Sequence, residues 1–365
     1  MRRLVTRLAL AALAAPFLAL SLAAPTPAAV RDPTPLYAHY YIWYGVSSWK
    51  RAKIDYPTLG RYSSDEVSFM RRHVDLAKQA GIDGFLVSWK STPLLDDRLA
   101  KLVEVARHAH FKLGIVYQGL DFERRPLPAR KVAQDLDLLA RRYGTSPVFG
   151  GFSKPVVAWS GTWRFTPAQI AHVRKVVDGR LLLLGTEKNV ADYQAKASLF
   201  DGDLYYWSSV NPDTNPHYGA KLNAMGQAAH GHGSLWFAPA APGFDARKVG
   251  GQSSVDRHDG ATLRREMDAA QQSQPDAIGL ISWNEFSENS HVEPSERYGQ
   301  QALKTLADIR GTHLKSVDDL DSSAAAVRDA PGPRALVVVL GFVALLVLTL
   351  VLLRRRSNAA IGGAP

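Results

Sequence analysis

Two glutamates three residues apart form the part of this sequence best suited to chemistry. Glu285 and Glu288 follow a short apolar run, Ala277–Ile281, in a segment that also contains Trp283 and Asn284. Polar side chains are costly to bury without partners, so their density after a core strand indicates a cleft for a polar ligand. Acid/base work on a glycosidic bond requires such a carboxyl pair, and a shared cleft should push the two pKa values apart.

Strand-like and helix-like segments alternate around this pair from residue 32 to residue 311. Strands are predicted at Leu36–Tyr44, Gly84–Trp89, Lys112–Tyr117, Pro155–Trp159, Leu181–Thr186, Asp203–Trp207, Ser234–Ala238 and Ala277–Trp283. Helices are predicted at Ser63–Ala80, Leu95–Ala109, Ala129–Tyr143, Pro167–Asp178, Val190–Ser198, Leu222–Ala229, Ala261–Ser273 and Tyr298–Arg310. Eight such units in one domain of this size indicate an α/β fold, a (β/α)₈ TIM barrel. A doubly wound open sheet is the competing fold, but the chain has neither a dinucleotide-binding glycine fingerprint nor a P-loop.

In a barrel, the functional residues lie where the strands end and the βα loops begin. Tryptophan and tyrosine recur at these predicted positions. Flat aromatic faces suit sugar rings, and amide, carboxylate and amine groups can hold hydroxyls. One tryptophan alone would fill the core equally well, whereas the set favours a carbohydrate groove. The predicted substrate-binding residues are Trp43, Tyr44, Trp89, Lys90, Tyr117, Gln118, Trp159, Tyr206, Trp207, Phe244, Asp245, Asn284, His291 and Glu293.

Two of the polar candidates have structural alternatives. Glu293, which precedes Pro294, is as compatible with hydrogen bonding inside its loop as with lining a sugar subsite. His39 could bind sugar, but its alternating position in the first strand fits a packed interior histidine equally well.

Both ends of the chain carry segments typical of membrane targeting. Residues 1–29 combine arginines, an apolar run and small residues, which is the pattern of a signal peptide; an uncleaved anchor is the alternative. Residues 335–353 are apolar throughout and, as a helix, would span roughly 28 Å, close to a bilayer core. The arginines of the tail, 354–365, follow directly, which predicts a cytoplasmic C-terminus. With a flexible stalk at 312–334, the sequence predicts a single-pass protein of the cell membrane whose catalytic domain, 32–311, is extracellular.

Charge and composition exclude several classes of function. Seven of the ten net positive charges lie in the terminal segments, three near the N-terminus and four from residue 334 onwards, which leaves +3 for the rest. That balance, without a basic run interleaved with aromatics, argues against nucleic-acid binding. The absence of cysteine excludes disulfides, thiolate metal sites and cysteine nucleophiles. The sequence gives no sign of a required metal or cofactor, nor of a protein partner.

Several motifs, in chain order, resemble those of glycoside hydrolase family 99. They are HYYIWYG at the first strand, GIDGFLVSW at the second, KPVVAW at the fourth, PGFD after the seventh and WNEFSENSHVEP at the eighth. The family comprises endo-α-mannosidases and endo-α-mannanases, and polysaccharide-biosynthesis proteins of the WbsX type share a similar barrel. The resemblance covers most of residues 36–310, and the last motif is its specific part.

The resemblance implies a retaining cleavage of α-mannosidic bonds in mid-chain. Glu285 would be the base that helps the substrate's own 2-hydroxyl attack the anomeric carbon through an epoxide-like intermediate. Glu288 would protonate the leaving oxygen and then activate water. The chain departs from the family motif at Phe286, where the family has tryptophan, and at Ser287 and Asn289, which flank Glu288 in place of histidine and glycine. These departures bear on the sugar preference more than on the reaction type.

Two other functions remain open from the sequence. One is a carbohydrate-binding barrel without turnover, against which the presence of both Glu285 and Glu288 argues. The other is a transferase or assembly role in envelope polysaccharide synthesis, which the membrane segments and the WbsX-type similarity suggest. A requirement for a nucleotide sugar would distinguish the second from hydrolysis.

Overall fold

Eight parallel strands close into a barrel in the computed structural model, which describes residues 33–314. Around the barrel the order is β1-β10-β7-β6-β5-β4-β3-β2, so every strand pairs with its neighbour in the chain apart from the small hairpin inserted after β7. The strands are β1 Leu36–Tyr41, β2 Gly84–Trp89, β3 Lys112–Gln118, β4 Val156–Ser160, β5 Leu182–Gly185, β6 Gly202–Leu204, β7 Leu235–Ala240, β8 Phe244–Asp245, β9 Ser254–Val255 and β10 Ala277–Leu280. The predicted (β/α)₈ barrel is confirmed.

A helix lies on the outside of the barrel after each of the eight strands. The helices are α1 Val67–Gln79, α2 Pro93–Ala109, α3 Ala129–Tyr143, α4 Pro167–Val177, α5 Val190–Gln194, α6 Tyr218–Gly231, α7 Ala261–Gln272 and α8 Gln301–Arg310. Side-chain hydrogen bonds cap the N-termini of several of these helices. Thr166 and Gln169 form a capping box at α4, and Asn189 accepts the Asp192 amide at 2.9 Å before α5.

The strands alternate between two layers of core. Outward side chains join the helices in the large core, to which Phe85 and Val87 of β2 belong. Inward side chains fill the barrel interior, where Tyr37, Leu86 and Phe237 belong to a separate apolar cluster. Because side chains alternate along a strand, the later inward positions of the same strands are those that open at the C-terminal mouth.

The inward positions near the mouth are polar. His39 follows Tyr37 at the next inward position of β1, and Gly279 of β10 lies opposite, where a Cβ would come within 3.2 Å of His39 Nε2. Ser88 and Gln118 are the last inward side chains of β2 and β3, and Gln118 Nε2 donates to Ser88 Oγ at 2.6 Å. Along the strands, the inward-facing side chains therefore change from apolar in the barrel interior to hydrogen-bonding near the C-terminal mouth.

Three of the predicted strands are three residues shorter than expected at their C-terminal ends. β1 ends at Tyr41, whereas the sequence predicted a strand to Tyr44. β6 ends at Leu204 and β10 at Leu280, whereas the sequence predicted strands to Trp207 and Trp283. In both places the chain leaves the ladder to form the loops that carry Tyr206 and Glu285. The antiparallel β8–β9 hairpin in the loop after β7 was not predicted, since each strand has only two residues.

The predicted membrane segments fall outside the described residues. Within residues 33–314 no helix is long and apolar enough to cross a bilayer. The predicted signal peptide, 1–29, and the predicted transmembrane helix, 335–353, stay predictions, as do the tail and the part of the stalk beyond residue 314.

Candidate active site

The two glutamates lie in the loop that follows β10. Glu285 is 7% exposed, and Glu288 is partly exposed. Backbone hydrogen bonds close the loop on itself, from the Ser282 amide to the Ser290 carbonyl at 2.7 Å and from the Ser290 amide to the Glu285 carbonyl at 3.2 Å. The Glu285 amide donates to Ser282 Oγ at 2.8 Å, and its Oε1 accepts from the Ser287 amide at 2.9 Å. Glu285 is therefore held in a fixed orientation.

Burial raises the pKa values of both carboxyl groups, and charge repulsion adds to the rise at Glu285. Burial, together with the negative charge of Glu288, raises the pKa of Glu285 to about 7, against the hydrogen bonds of Ser287 and the positive charge of Lys53. Burial also raises the pKa of Glu288, and the charge of Arg124 opposes that rise. The pair can therefore retain a proton close to neutral pH, as acid/base catalysis requires.

A pair of tyrosines lies beside the carboxyl groups. Tyr41 Oη and Tyr206 Oη are 2.6 Å apart, and burial raises the pKa of each phenol, with the charges of Glu285 and Glu288 adding to the effect. The His39 ring stacks on Tyr206 at 4.6 Å, and its Nε2 is buried without a hydrogen-bond partner among residues 33–314. Burial lowers the pKa of His39 to about 3. These groups are neutral, and they can bond sugar hydroxyls without adding charge.

Asn284 anchors the loop of the two glutamates to the end of β1. Its Oδ1 accepts the Tyr41 amide at 2.8 Å, and its Nδ2 donates to the Tyr41 carbonyl at 3.0 Å and to Tyr62 Oη at 3.1 Å. Tyr44 Oη donates to the Asn284 carbonyl at 2.7 Å. Asn284 and Tyr44 are both buried, and their polar side-chain atoms already have hydrogen-bond partners within the protein. This corrects the prediction that they contact substrate.

Glu293 and His291 are likewise buried behind the mouth. Glu293 is 1% exposed; its Oε1 lies 3.0 Å from His73 Nε2 on α1, and its Oε2 accepts from Tyr62 Oη at 2.9 Å. His291 Nε2 lies 3.1 Å from Asp55 Oδ2. The geometry supports a structural, hydrogen-bonding role for Glu293 and not a place in a sugar subsite. It also corrects the prediction that His291 binds substrate, because the His291 side chain is buried beside Asp55.

Three of the predicted aromatic residues face away from the mouth. Trp89, Tyr117 and Trp159 belong to the outer core between strands and helices, and each is at most 2% exposed. Trp89 Nε1 donates to Asp96 on α2, and Tyr117 Oη donates to Asp135 on α3, both at 2.9 Å. The predictions for these three residues are wrong, because side chains alternate along a strand and these three point outward, towards the helices.

Other aromatic predictions do lie at the rim of the barrel. Trp43 is 41% exposed, and its ring lies 4.4 Å from that of Tyr41. Trp207 is partly exposed and lies 6.5 Å from Trp163, with Lys188 Nζ close to both rings. Trp43 therefore offers a flat surface next to the tyrosine pair, and Trp163 and Trp207 offer further surfaces at the rim, where a sugar ring could stack.

The remaining predicted residues occupy the loops after β2, β3 and β7. Gln118 points into the barrel near its mouth, where it bonds Ser88. Lys90 Nζ lies 5.1 Å from the ring centre of the exposed Phe122. Phe244 is buried in a small cluster of the β8–β9 hairpin. The Asp245 amide donates to the Glu288 carbonyl at 2.7 Å, while its carboxylate pairs with Arg247 at 2.7 Å. The hairpin therefore supports the Glu288 backbone.

Sequence reasoning missed the other groups that act on the carboxyl pair. Alternation along β1 would have found Tyr41, two residues beyond His39. Lys53 and Arg124 lie in long loops with no periodic pattern, and their proximity to Glu285 and Glu288 arises only when the loops after β1 and β3 fold over the mouth.

Comparison with known proteins places this geometry in a family. The family model of glycosyl hydrolase family 99 matches residues 50–310, which is most of the chain. The chain belongs to glycosyl hydrolase family 99. The family 99 match includes the loop that carries Glu285 and Glu288 and seven of the eight barrel strands, since only β1 precedes residue 50.

Relatives of this family 99 chain are found among characterised proteins and solved structures. It is 24% identical over 263 residues to glycoprotein endo-alpha-1,2-mannosidase of Rattus norvegicus and over 266 residues to that of Mus musculus; each match covers 65% of this chain and 56% of the relative. The chain thus spans about half the length of these relatives. The GH99 endo-alpha-mannosidase of Bacteroides thetaiotaomicron superposes with a TM-score of 0.66 at 21% identity, covering 76% of this chain and 98% of that one. A glycoside hydrolase-like protein superposes at 0.60 and 14% identity, covering 78% and 96%. These two likenesses establish the shared fold.

Proposed function

We propose that this family 99 protein is a glycoside hydrolase that cleaves internal α-mannosidic bonds of a polysaccharide, with Glu285 and Glu288 as its carboxyl pair. The observation that carries the proposal is the pair itself: two carboxyl groups with raised pKa values lie in one loop at the barrel mouth, beside Tyr41 and Tyr206. The family membership and the names of the rat and mouse relatives support mannose as the sugar.

The surroundings of the two glutamates support different roles. Glu285 accepts the Ser287 amide and feels the charge of Lys53, both of which favour its ionised form, as a base requires. Glu288 is the more exposed of the two, so its proton can reach the leaving oxygen of a bound chain. The Tyr41 and Tyr206 hydroxyls lie where they can hold the sugar between the carboxyl groups.

The proposed reaction has two steps. In the first, Glu285 takes the proton of the substrate 2-hydroxyl, that oxygen bonds to the anomeric carbon, and the glycosidic bond breaks as Glu288 gives its proton to the leaving oxygen. In the second, Glu288 takes a proton from water, the water oxygen bonds to the anomeric carbon, and the epoxide bond to that carbon breaks as Glu285 returns its proton to the 2-oxygen. The net change is hydrolysis with retained configuration.

The proposed setting is the outer face of the cell membrane. Residues 1–29 and 335–353, with the arginines that follow, support an exported barrel held by a C-terminal helix. A tethered endo-acting enzyme would act on polysaccharide of the cell's own envelope or of its immediate surroundings.

Product analysis tests the hydrolase proposal. We expect the full-length protein to shorten α-mannan to oligosaccharides without any nucleotide sugar, and Glu288→Gln to abolish the release. Glu296→Gln is the matched control, because Glu296 is an exposed glutamate eight residues further along the chain. Binding of α-mannan without release, or release only when a sugar donor is added, would replace hydrolysis with one of the two alternative functions.

A further inference from the structure

Three basic side chains around the barrel mouth have no acidic partner. Lys90 Nζ lies 5.1 Å from the centre of the Phe122 ring, and Lys188 Nζ lies 4.7 Å and 5.2 Å from the ring centres of Trp163 and Trp207. The third is Arg124, which is exposed. Among residues 33–314 none of the three forms a salt bridge, so each presents a net positive charge to whatever enters the mouth.

The loop after β3 keeps the Arg124 side chain apart from the acidic residues of the same loop. Arg124 has a φ of 58°, a conformation that non-glycine residues rarely adopt. Its amide donates to the Asp121 carbonyl at 3.1 Å, and the Asp121 carboxylate accepts the amides of Glu123 at 3.0 Å and Arg125 at 2.8 Å. Arg125 also pairs with both acids, at 2.9 Å and 3.0 Å. The acids of the loop are thus occupied, and Arg124 is left without one.

The three cations lie in loops at the same, C-terminal end of the barrel. Lys90 contacts the ring of Phe122, which lies two residues before Arg124 in the same loop. The charge of Arg124 acts on both Glu288 and Tyr206. Tyr206 immediately precedes Trp207, the ring beside Lys188. The loops after β2, β3 and β5 therefore bring positive charge to the C-terminal end of the barrel, where the charge of Arg124 reaches Glu288.

Two other cations of the barrel loops, in contrast, are paired. Arg247 pairs with Asp245 at 2.7 Å, and Lys196 pairs with Glu187 at 3.0 Å. Unpaired cations beside exposed or partly exposed aromatic rings fit a ligand that combines sugar rings with negative charge. Arginine suits phosphate and carboxylate oxygens because its planar fork can bond two of them at once.

We propose that the natural substrate is an anionic glycan, whose phosphate or carboxylate groups are bound by Arg124 together with Lys90 and Lys188. The inference rests on the proposed glycan-cleaving function and adds the substrate class. A neutral polymer would gain nothing from these charges, whereas an anionic one would be attracted to the mouth and held beside Glu288.

Binding measurements test the substrate class separately from catalysis. The protein used is the full-length chain carrying Glu285→Gln, a substitution that is distant from the three cations along the chain and keeps Glu288 intact. It is titrated with three polymers: a phosphate-bearing mannan, the same mannan after chemical removal of its phosphate, and a carboxymethylated mannan. The titrations are repeated with Arg124→Gln and Lys188→Gln added together. Lys304→Gln, an exposed lysine on α8, is the control for loss of one surface charge.

We expect at least one anionic mannan to bind roughly tenfold more tightly than the neutral one, a difference of the size that a charge-assisted hydrogen bond supplies. The preference should be lost in the Arg124→Gln, Lys188→Gln protein and at high salt, and retained with Lys304→Gln. The anionic mannan that binds more tightly identifies the recognised group of the substrate as phosphate, carboxylate or either. Equal binding of all three polymers, or a preference that survives the double substitution, would overturn the inference. Tight anionic binding by a wild-type protein that cleaves none of the polymers would instead count against the proposed hydrolysis.

Discussion

Lys53 is the charged residue whose effect on catalysis is easiest to isolate. It is half-buried, and its Nζ donates to the Ser48 carbonyl at 3.0 Å and to Ser287 Oγ at 3.3 Å, while its charge lowers the pKa of Glu285 without a direct ion pair. If Glu285 is the base, activity falls as the pH drops through the pKa of Glu285, about 7, because the carboxylate becomes protonated.

Lys53→Met should therefore move the acidic limb of the pH–rate profile upwards, by roughly half a pH unit for a partly solvated charge. Removing the positive charge makes the ionised form of Glu285 less favourable, so a higher pH is needed to reach it. The limb is measured from kcat/KM against pH, with Lys50→Met, an exposed neighbour, as the control. An unmoved limb, or one that moves to lower pH, would mean that Lys53 does not act on the base.

The tyrosine pair gives a second prediction at the scale of single residues. Tyr206→Phe removes the hydroxyl that lies 2.6 Å from Tyr41 Oη and faces the carboxyl groups. We expect kcat/KM on α-mannan to fall by roughly 10- to 100-fold, the effect of one strong hydrogen bond. Tyr205→Phe is the matched control, because that side chain packs in the outer core and bonds Lys221 at 2.6 Å. Equal losses in the two variants would show that Tyr206 acts only through packing.

At the scale of elements, α1 is tied to the loop that follows β10 by a buried contact between a histidine and a glutamate. His73 of α1 and Glu293 are both fully buried as side chains and lie 3.0 Å apart, and Tyr62 joins Glu293 to Asn284. Asn284 in turn holds the end of β1, so the network connects helix, loop and strand directly behind Glu285.

Breaking this network should cost more than breaking a surface pair. Glu293→Ala is expected to lower the free energy of unfolding by about 3 kcal/mol, because His73 and Tyr62 lose their partner in the core. Glu104→Ala, which removes an exposed pair with Arg107, should leave the free energy of unfolding almost unchanged, because solvent screens that pair. Denaturant unfolding of the two variants measures the difference. Similar costs would mean that the buried network contributes no more than a solvated pair.

A buried acid between β5 and β6 predicts a pH dependence of stability. Burial raises the pKa of Asp203 from 3.8 to about 8, and its Oδ1 accepts the Glu187 amide at 2.9 Å. The folded state keeps this proton between those values while the unfolded chain releases it, so stability due to this group falls as the pH rises from about 4 to 8.

Asp203→Asn should therefore gain stability relative to wild type across that window, by up to about 1.4 kcal/mol per pH unit, since the amide stays neutral and can keep the acceptor. Thermal or denaturant unfolding from pH 5 to pH 8 gives the difference. A stability difference that does not change with pH would show that Asp203 is ionised in the folded protein.

Local sequence patterns predicted the elements well and the inner surface of the mouth less well. The Ala129–Tyr143 helix and the Gly84–Trp89 strand have the bounds predicted, because amphipathic period and flanking turn residues are local signals. Trp89 and Trp159 were misplaced because a continuous apolar strand, buried on both faces, does not reveal which face is inward. Arg124 was missed because its position depends on a loop folding back over the mouth.

At the scale of the whole molecule, the barrel is one part of a longer chain. The closed ring of strands lies within residues 36–280, and the last helix ends at Arg310. The predicted membrane segments lie beyond these residues at both ends, so their role can be tested without altering the barrel.

Truncation after Arg334 should release the protein from the membrane fraction. We expect the full-length protein to sediment with membranes in its native host, and the protein ending at Arg334 to be recovered in the soluble fraction. A protein ending at Ser357, which keeps residues 335–353 and the three arginines, is the control and should stay with the membranes. A full-length protein that is soluble would contradict the predicted tether.

The division of roles between Glu285 and Glu288 is the central claim, and a substrate with a good leaving group tests it most directly. An α-mannobioside of an acidic phenol needs no proton on its leaving oxygen, so a protein without the general acid can still complete the first step. Phenol release by Glu285→Gln and Glu288→Gln is followed in stopped flow. We predict a burst of about one phenol per protein with Glu288→Gln, which stalls before water attack, and no burst with Glu285→Gln. A burst from Glu285→Gln, or none from either variant, would contradict the assignment of Glu285 as base and Glu288 as acid.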